Sequence, residues 1–159
     1  MARIRDQRTL PVILIIIATL LVAARIVSHT IKPGATAKKG GGVAWVTLDE
    51  VETVARTSNK PLMLYFTADW CPPCHQLDAE VFGNAAVAAE INERFIPVKV
   101  VDRQREEGNT ANVDTLERHY NVTGFPIVQF VDATGRPLAR MEGFRGVAEF
   151  ERVMGTALR

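Results

Sequence analysis

The chain has 159 residues, 47% hydrophobic and 23% charged, and its 19 Lys and Arg against 18 Asp and Glu leave a formal net charge of +1. That balance removes the main argument for a nucleic-acid binder, which needs a basic face. Two Cys are too few for a disulfide-stapled miniprotein or a four-Cys zinc site, and the lack of an internal repeat argues against a solenoid.

Residues Leu10 to Ala24 run without a charge, and after Arg25 the residues Ile26 and Val27 extend the stretch. As a helix, residues 10–27 would rise roughly 27 Å, close to the thickness of a bilayer core. Arg25 near its end could snorkel to the headgroups. The stretch reads as a single transmembrane anchor after a short basic tail, residues 1–9. The rival reading is a cleaved signal peptide, with Arg3, Arg5 and Arg8 before the apolar run and Val22-Ala23-Ala24 at its end offering small residues at the cleavage positions. Basic residues nearly balance across the span, because Arg25, Lys32, Lys38 and Lys39 follow it. The three Arg close to the apolar run favour a cytoplasmic tail and a domain facing the periplasm or cell exterior. Residues 28–42 are Gly-rich and basic and read as a flexible tether.

The folded domain is expected over 43–159. Val43 to Val46 is a short apolar run, a candidate first strand. Thr47 and Glu50 form a capping box for a helix with Leu48, Val51, Val54 and Ala55 on one face. Leu62 to Thr67 is a continuous apolar run, a candidate buried central strand. A helix follows around the Cys pair and carries Leu77, Val81 and Phe82. Gly83-Asn84 breaks it before a second amphipathic stretch with Val87, Ile91 and Phe95. Ile96 to Val101 is a strand, Asp102 to Thr110 a polar loop, and Val113 to Tyr120 a helix. Ile127 to Val131 and Pro137 to Met141 pair as a hairpin across the turn at Asp132–Gly135. Gly146 to Leu158 closes the chain as a helix with Val147, Phe150, Val153 and Met154 inward. The order β-α-β-α-β-α-β-β-α indicates an α/β domain, a mixed sheet covered on both faces.

Cys71-Pro72-Pro73-Cys74 lies between the apolar strand and the helix, and Cys-X-X-Cys in a β-α-β context reads as a redox pair. Two intervening residues in a first helical turn let the sulfurs reach bonding distance. The helix N-terminus favours a thiolate, the nucleophile in exchange. Cys71, nearer that end, is expected to be the more exposed, attacking thiol, and Cys74 the resolving one. Both prolines fit the first turn, where a missing N–H costs little. They also remove two donors to the thiolate, which leans the pair toward reducing rather than oxidising chemistry. Three other readings compete. Cys71 to His75 matches a haem-attachment motif, but the preceding strand and the later Gly124-Phe125-Pro126 are not needed by a haem protein. The two Cys with His75 give three metal ligands, and only His29 and His119 remain for a fourth. Two unreactive core Cys would not call for Trp, two Pro, a strand exit and a helix start around them. His75 reads as a solvated helix residue.

The residues Ala68-Asp69-Trp70-Cys71-Pro72-Pro73-Cys74, Gly124-Phe125-Pro126 and Glu142-Gly143 resemble the thioredoxin family, over roughly Val43 to the C-terminus. Within it, YFTADWCPPCHQLDAEVF and HYNVTGFPIVQFVDATG are similar to the C-terminal domain of the bacterial disulfide reductase DsbD. The resemblance implies a thioredoxin-like fold and a cis Pro126 facing the Cys pair. It leaves the Phe125 backbone free to pair with an extended client segment. Many thioredoxins carry a buried Asp six residues before the first Cys, where this chain has Tyr65. The DsbD domain has an acid four residues after the second Cys, and Asp78 stands there, one helical turn on. Asp78 is therefore the candidate base for Cys74, against the reading of a solvated helix Asp. Asp69 reads as exposed rather than catalytic.

These residues imply a thiol–disulfide oxidoreductase that reduces, less readily oxidises, protein disulfides outside the cytoplasm. Cys71, Cys74, Pro126 and Asp78 form its catalytic set, and Trp70, Pro72 and Phe125 its docking surface. A purely core role is the alternative for Trp70. No metal, nucleotide or flavin site is expected, because no Gly-rich phosphate loop is visible. The expected partners are thiol- or disulfide-bearing proteins and an upstream redox protein, because a full DsbD draws electrons through a multi-span domain. The alternatives are a client-binding or chaperone module without turnover, and a dedicated reductant of apocytochrome c thiols.

Overall fold

The computed structural model describes residues 42–159. The basic tail 1–9, the apolar span 10–27 and residues 28–41 of the tether lie outside the described residues. Among the described residues no helix is long and apolar enough to cross a membrane. The elements are α1 (Leu48–Arg56), β1 (Leu62–Ala68), α2 (Pro72–Leu77), a π-helical turn (Asp78–Phe82), α3 (Ala85–Arg94), β2 (Ile96–Asp102), α4 (Ala111–His119), β3 (Ile127–Val131), β4 (Pro137–Glu142) and α5 (Val147–Ala157).

The four strands form one mixed sheet in the order β2-β1-β3-β4. β1 pairs parallel with β2 and antiparallel with β3, and β3 pairs antiparallel with β4. The period of two along a strand sends alternate side chains to opposite faces. Met63 and Tyr65 of β1 join Val128, Phe130 and Met141 in a core with Leu77, Val81, Ile91, Phe95 and Phe150 from the helices. Leu64 and Phe66 join Val98, Val100, Ile127 and Val113 on the other face, with α1 packed against them. A central strand covered on both faces must be apolar throughout, which is why β1 reads as an unbroken run. Burial of each such large side chain contributes about 1.5–3 kcal/mol.

Local signals place the helices. The Glu50 carboxylate accepts from the Thr47 hydroxyl at 2.8 Å and the Thr47 N–H at 3.3 Å, closing the start of α1. Asn84 accepts from the N–H groups of Ala86 and Val87 and starts α3. Between α2 and α3 the chain widens into the π-turn, where Gly83 N–H reaches Asp78 C=O at 2.8 Å. A Cβ on Gly83 would stand 2.5 Å from the Ala79 carbonyl oxygen, so the turn closes only with glycine there.

The expected strand over Val43 to Val46 does not form; it is reduced to a single parallel bridge between Val46 and Val98. Its hydrogen-bonding groups are engaged elsewhere. Ala44 N–H donates to Asn92 Oδ1 at 2.8 Å, Asn92 Nδ2 donates to Gly42 C=O, and Trp45 N–H turns back to Val43 C=O. Val46 N–H reaches the sheet at Pro97 C=O, 2.8 Å away.

Candidate active site

β1 ends at Ala68, opposite Asp102 of β2, and the next residues are Asp69, Trp70 and Cys71. Cys71 is the N-cap of α2, with Pro72 and Pro73 in the first turn, as helix-start sterics favour. Cys71 and Cys74 are joined as a disulfide, S–S 2.07 Å, with Cα atoms 5.3 Å apart. Both are buried, Cys71 at 2% and Cys74 at 0% exposure, so the expected contrast in exposure is slight in the bonded pair. β3 begins at Ile127 opposite Phe66, so Pro126 and Phe125 lie at the same end of β1 as the Cys motif. The Phe125–Pro126 peptide is cis, Pro126 is buried, and its C=O accepts from Gly143 N–H at 2.8 Å. Phe125 packs on Ala68, Cys71 and Cys74.

Trp70 is 38% exposed and meets Phe125 edge to face, ring centroids 5.9 Å apart, so it is not a core residue. Pro72 is exposed beside it in sequence. His75 is exposed, with Nε2 3.0 Å from the Asp69 carbonyl oxygen. The Asp69 carboxylate is 64% exposed and pairs with Arg103 at 3.5 Å.

Asp78 is half-buried and opens the π-turn, where Lys99 Nζ donates to its Oδ2 at 3.0 Å. Lys99 stands opposite Tyr65 in the β1–β2 register, with its ammonium 5.3 Å from the Tyr65 ring and 5.8 Å from the Trp45 ring. Tyr65 is fully buried, and its hydroxyl donates to the Cys74 carbonyl oxygen at 3.2 Å. Burial pushes the Tyr65 phenol well above its ordinary pKa, and the Asp78 charge adds to the shift. The phenol therefore stays neutral and acts as a donor, never as a base. The Tyr65 hydroxyl thus holds the Cys74 main chain, while the Asp78 carboxylate is paired with Lys99.

The loop after β2 lies against this site, which the sequence did not indicate. Arg103 holds Asp69, and the Arg105 guanidinium carbon sits 3.5 Å from the centre of the Trp70 ring. Asn109 fixes the loop: Oδ1 accepts from Arg103 N–H at 2.7 Å, and Nδ2 donates to Asp102 at 2.8 Å and to Glu117 at 3.4 Å. Glu117 Oε1 is buried without a partner among the described residues. Burial, then the neighbouring charges of Asp102 and Asp114, raise the Glu117 carboxyl to about 6. Among the described residues no group of three or more His, Cys, Asp and Glu side chains is placed to hold a metal ion.

A Cys-X-X-Cys that opens a helix directly after a buried central strand, with a cis X-Pro loop at the same strand end, defines a thioredoxin-like domain. The thioredoxin-like domain model matches residues 48–158, and the chain belongs to that family. It is 33% identical over 107 residues to the thiol:disulfide interchange protein DsbD of Salmonella paratyphi A, covering 65% of this chain and 18% of that protein. It thus spans under a fifth of that relative's length. It is 34% identical over 104 residues to the disulfide bond reductase DsbH of Chlamydia pneumoniae, covering 61% of each. Among solved structures, a DsbH oxidoreductase superposes with a TM-score of 0.64 at 27% identity, over 81% of this chain and 90% of that one. A Thermus thermophilus thioredoxin superposes at 0.62 with 24% identity, over 74% and 88% of the two chains, which speaks for the fold alone.

Glu117 holds its proton more tightly in the folded chain than in the unfolded one. Its contribution to stability is therefore full below pH about 4.5 and is lost as pH rises through about 6. The Glu117→Gln variant should match the wild type in thermal unfolding at pH 4 and melt higher at pH 8. A variant that melts lower at pH 8 would show that the buried charge is compensated.

Proposed function

We propose that the chain is a membrane-tethered thiol–disulfide oxidoreductase that reduces protein disulfides outside the cytoplasm. The observation that carries this reading is the Cys71–Cys74 disulfide at the N-terminus of α2, with Phe125 packed on it. In the reduced chain the Cys71 thiolate attacks one sulfur of a client disulfide and displaces the other as a thiolate, leaving a mixed disulfide. Cys74 gives up its proton, with Asp78 as the acceptor, and attacks the Cys71 sulfur. The client's second thiolate leaves, two electrons have passed to the client, and the chain holds the Cys71–Cys74 bond. A dithiol protein upstream returns the two electrons. Trp70, Pro72, Phe125 and Pro126 border the client segment in this reading, since Pro126 lacks the N–H that would compete at the sulfurs.

The reducing direction is supported by the two prolines, which offer no N–H to a Cys71 thiolate, and by the similarity to a protein named a disulfide bond reductase. The tether rests on the apolar run 10–27 and its basic flank, and the outward orientation on Arg3, Arg5 and Arg8.

A Cys74→Ser variant should accumulate client proteins covalently linked through Cys71, and Cys71→Ser should capture none. Client holding that survives Cys71→Ser would favour a binding module instead. Asp78→Asn should slow decay of the mixed disulfide by about 100-fold if Asp78 takes the Cys74 proton; unchanged decay removes Asp78 from that role. Equilibration against dithiothreitol should give a reduction potential near about −270 mV, whereas about −120 mV would mark an oxidant. Mass spectrometry of membrane-extracted protein should find residues 1–27 retained, and a mature chain starting at Arg25 would remove the tether.

A further inference from the structure

We infer that Arg105 is a specificity residue of the Cys71–Cys74 site, taking a carboxylate of the client segment beside the client's own half-cystine. The inference rests on the oxidoreductase reading above. Its geometric basis is the line Arg105–Trp70–Phe125 along one border of the disulfide. Arg105 lies over Trp70, Trp70 meets Phe125 edge to face, and Phe125 packs against the cluster that Ala68, Cys71 and Cys74 form. An extended segment with its sulfur at Cys71 and its backbone along Phe125 passes Trp70, and its adjacent side chain comes within reach of Arg105.

The chemistry of the cation selects the class of side chain. Arg103 in the same loop has its charge engaged by Asp69 at 3.5 Å and Glu107 at 3.6 Å. Arg105 forms no ion pair or hydrogen bond among the described residues, while its guanidinium carbon is 3.5 Å from the Trp70 ring centre. A guanidinium on an aromatic face keeps its N–H donors directed outward around its rim, a geometry that matches a carboxylate bidentately. Trp70 also restricts the rotamers that would otherwise be lost on binding.

The loop is held in place before any client arrives. The Arg103 carbonyl accepts from the N–H groups of Glu106, Glu107 and Gly108, at 3.0, 3.2 and 2.9 Å, and Gly108 takes a positive φ of 87° to close the turn. Asn109 then fastens the loop to buried Asp102, the residue opposite Ala68 at the end of β1. Arg105 thus sits on the crest of a hydrogen-bonded turn rising from the same sheet end as the Cys motif.

The test uses the full chain, whose two cysteines are the only ones in the sequence, so alkylation reports this site alone. The chain is reduced, freed of reductant and mixed with either of two cyclic peptide disulfides, one with Glu and one with Lys beside its cysteines. Each reaction transfers two electrons, opening the peptide disulfide and closing Cys71–Cys74. The wild type should oxidise about five- to tenfold faster with the acidic peptide at low salt, and the preference should shrink at high salt. Arg105→Ala should abolish the preference and Arg105→Glu should invert it. Equal slowing of both peptides by these variants would assign Arg105 a structural role and overturn the inference. So would a wild type that ignores the flanking charge or favours Lys. Failure of the wild type to exchange with either peptide would overturn the oxidoreductase reading, and this inference with it.

Discussion

The chemistry of the domain is organised around where β1 ends. The strand is buried on both faces and paired on both edges as far as Phe66, and β2 carries the pairing on to its last residue, Ala68. Three chain segments meet that end. Its own continuation carries the Cys motif, the start of β3 brings Phe125 and Pro126, and the end of β2 releases the loop that reaches back over Trp70. Sulfurs, an aromatic border and a cation thus converge on one rigid strand end, with the loops that carry them anchored to the same sheet.

The acid that would serve the resolving cysteine illustrates how the same surroundings admit a different arrangement. On β1, position 65 is a buried phenol, and its hydroxyl is committed to the Cys74 carbonyl. The carboxylate stands on the helix instead, at Asp78, where it keeps a lysine from β2 beside it. Moving the charge from strand to helix takes it from full burial to half exposure, which lowers the cost of ionising it. Trp45, Tyr65 and Phe82 pack on one another, and the Lys99 ammonium of the Lys99–Asp78 pair lies over the Trp45 and Tyr65 rings.

Much of this was legible in the sequence for physical reasons. Strand β1 announces itself because a doubly covered strand is mostly apolar, and the helices announce themselves through Thr47 and the spacing of Val87 and Ile91, whereas Asn84, read only as a break, turns out to cap α3. The Cys pair and Phe125-Pro126 are recognisable because their chemistry tolerates few substitutes. The first strand misled, because Val43–Val46 is apolar enough for a strand yet Asn92, distant in sequence, captures its backbone. Arg105 gave no signal, because a loop Arg looks solvated until the fold sets a Trp beneath it. Lys99 did leave a trace, as a lone charge in the apolar run of β2, but only the register with Tyr65 gives it meaning.

The π-turn gives the two halves of the domain unequal tolerance to changes in chain length. Between Asp78 and Phe82 the helix holds one residue more per turn than an α-helix needs. Loss of a residue such as exposed Ala79 can close the wide turn to an ordinary one, leaving α2 and α3 each in phase with the core. The same loss in β1 would exchange the two faces of every residue beyond it, sending Tyr65 and Phe66 to each other's side of the sheet. Evolution can therefore lengthen or shorten the chain just past the cysteines while the strand in front of them stays fixed in length.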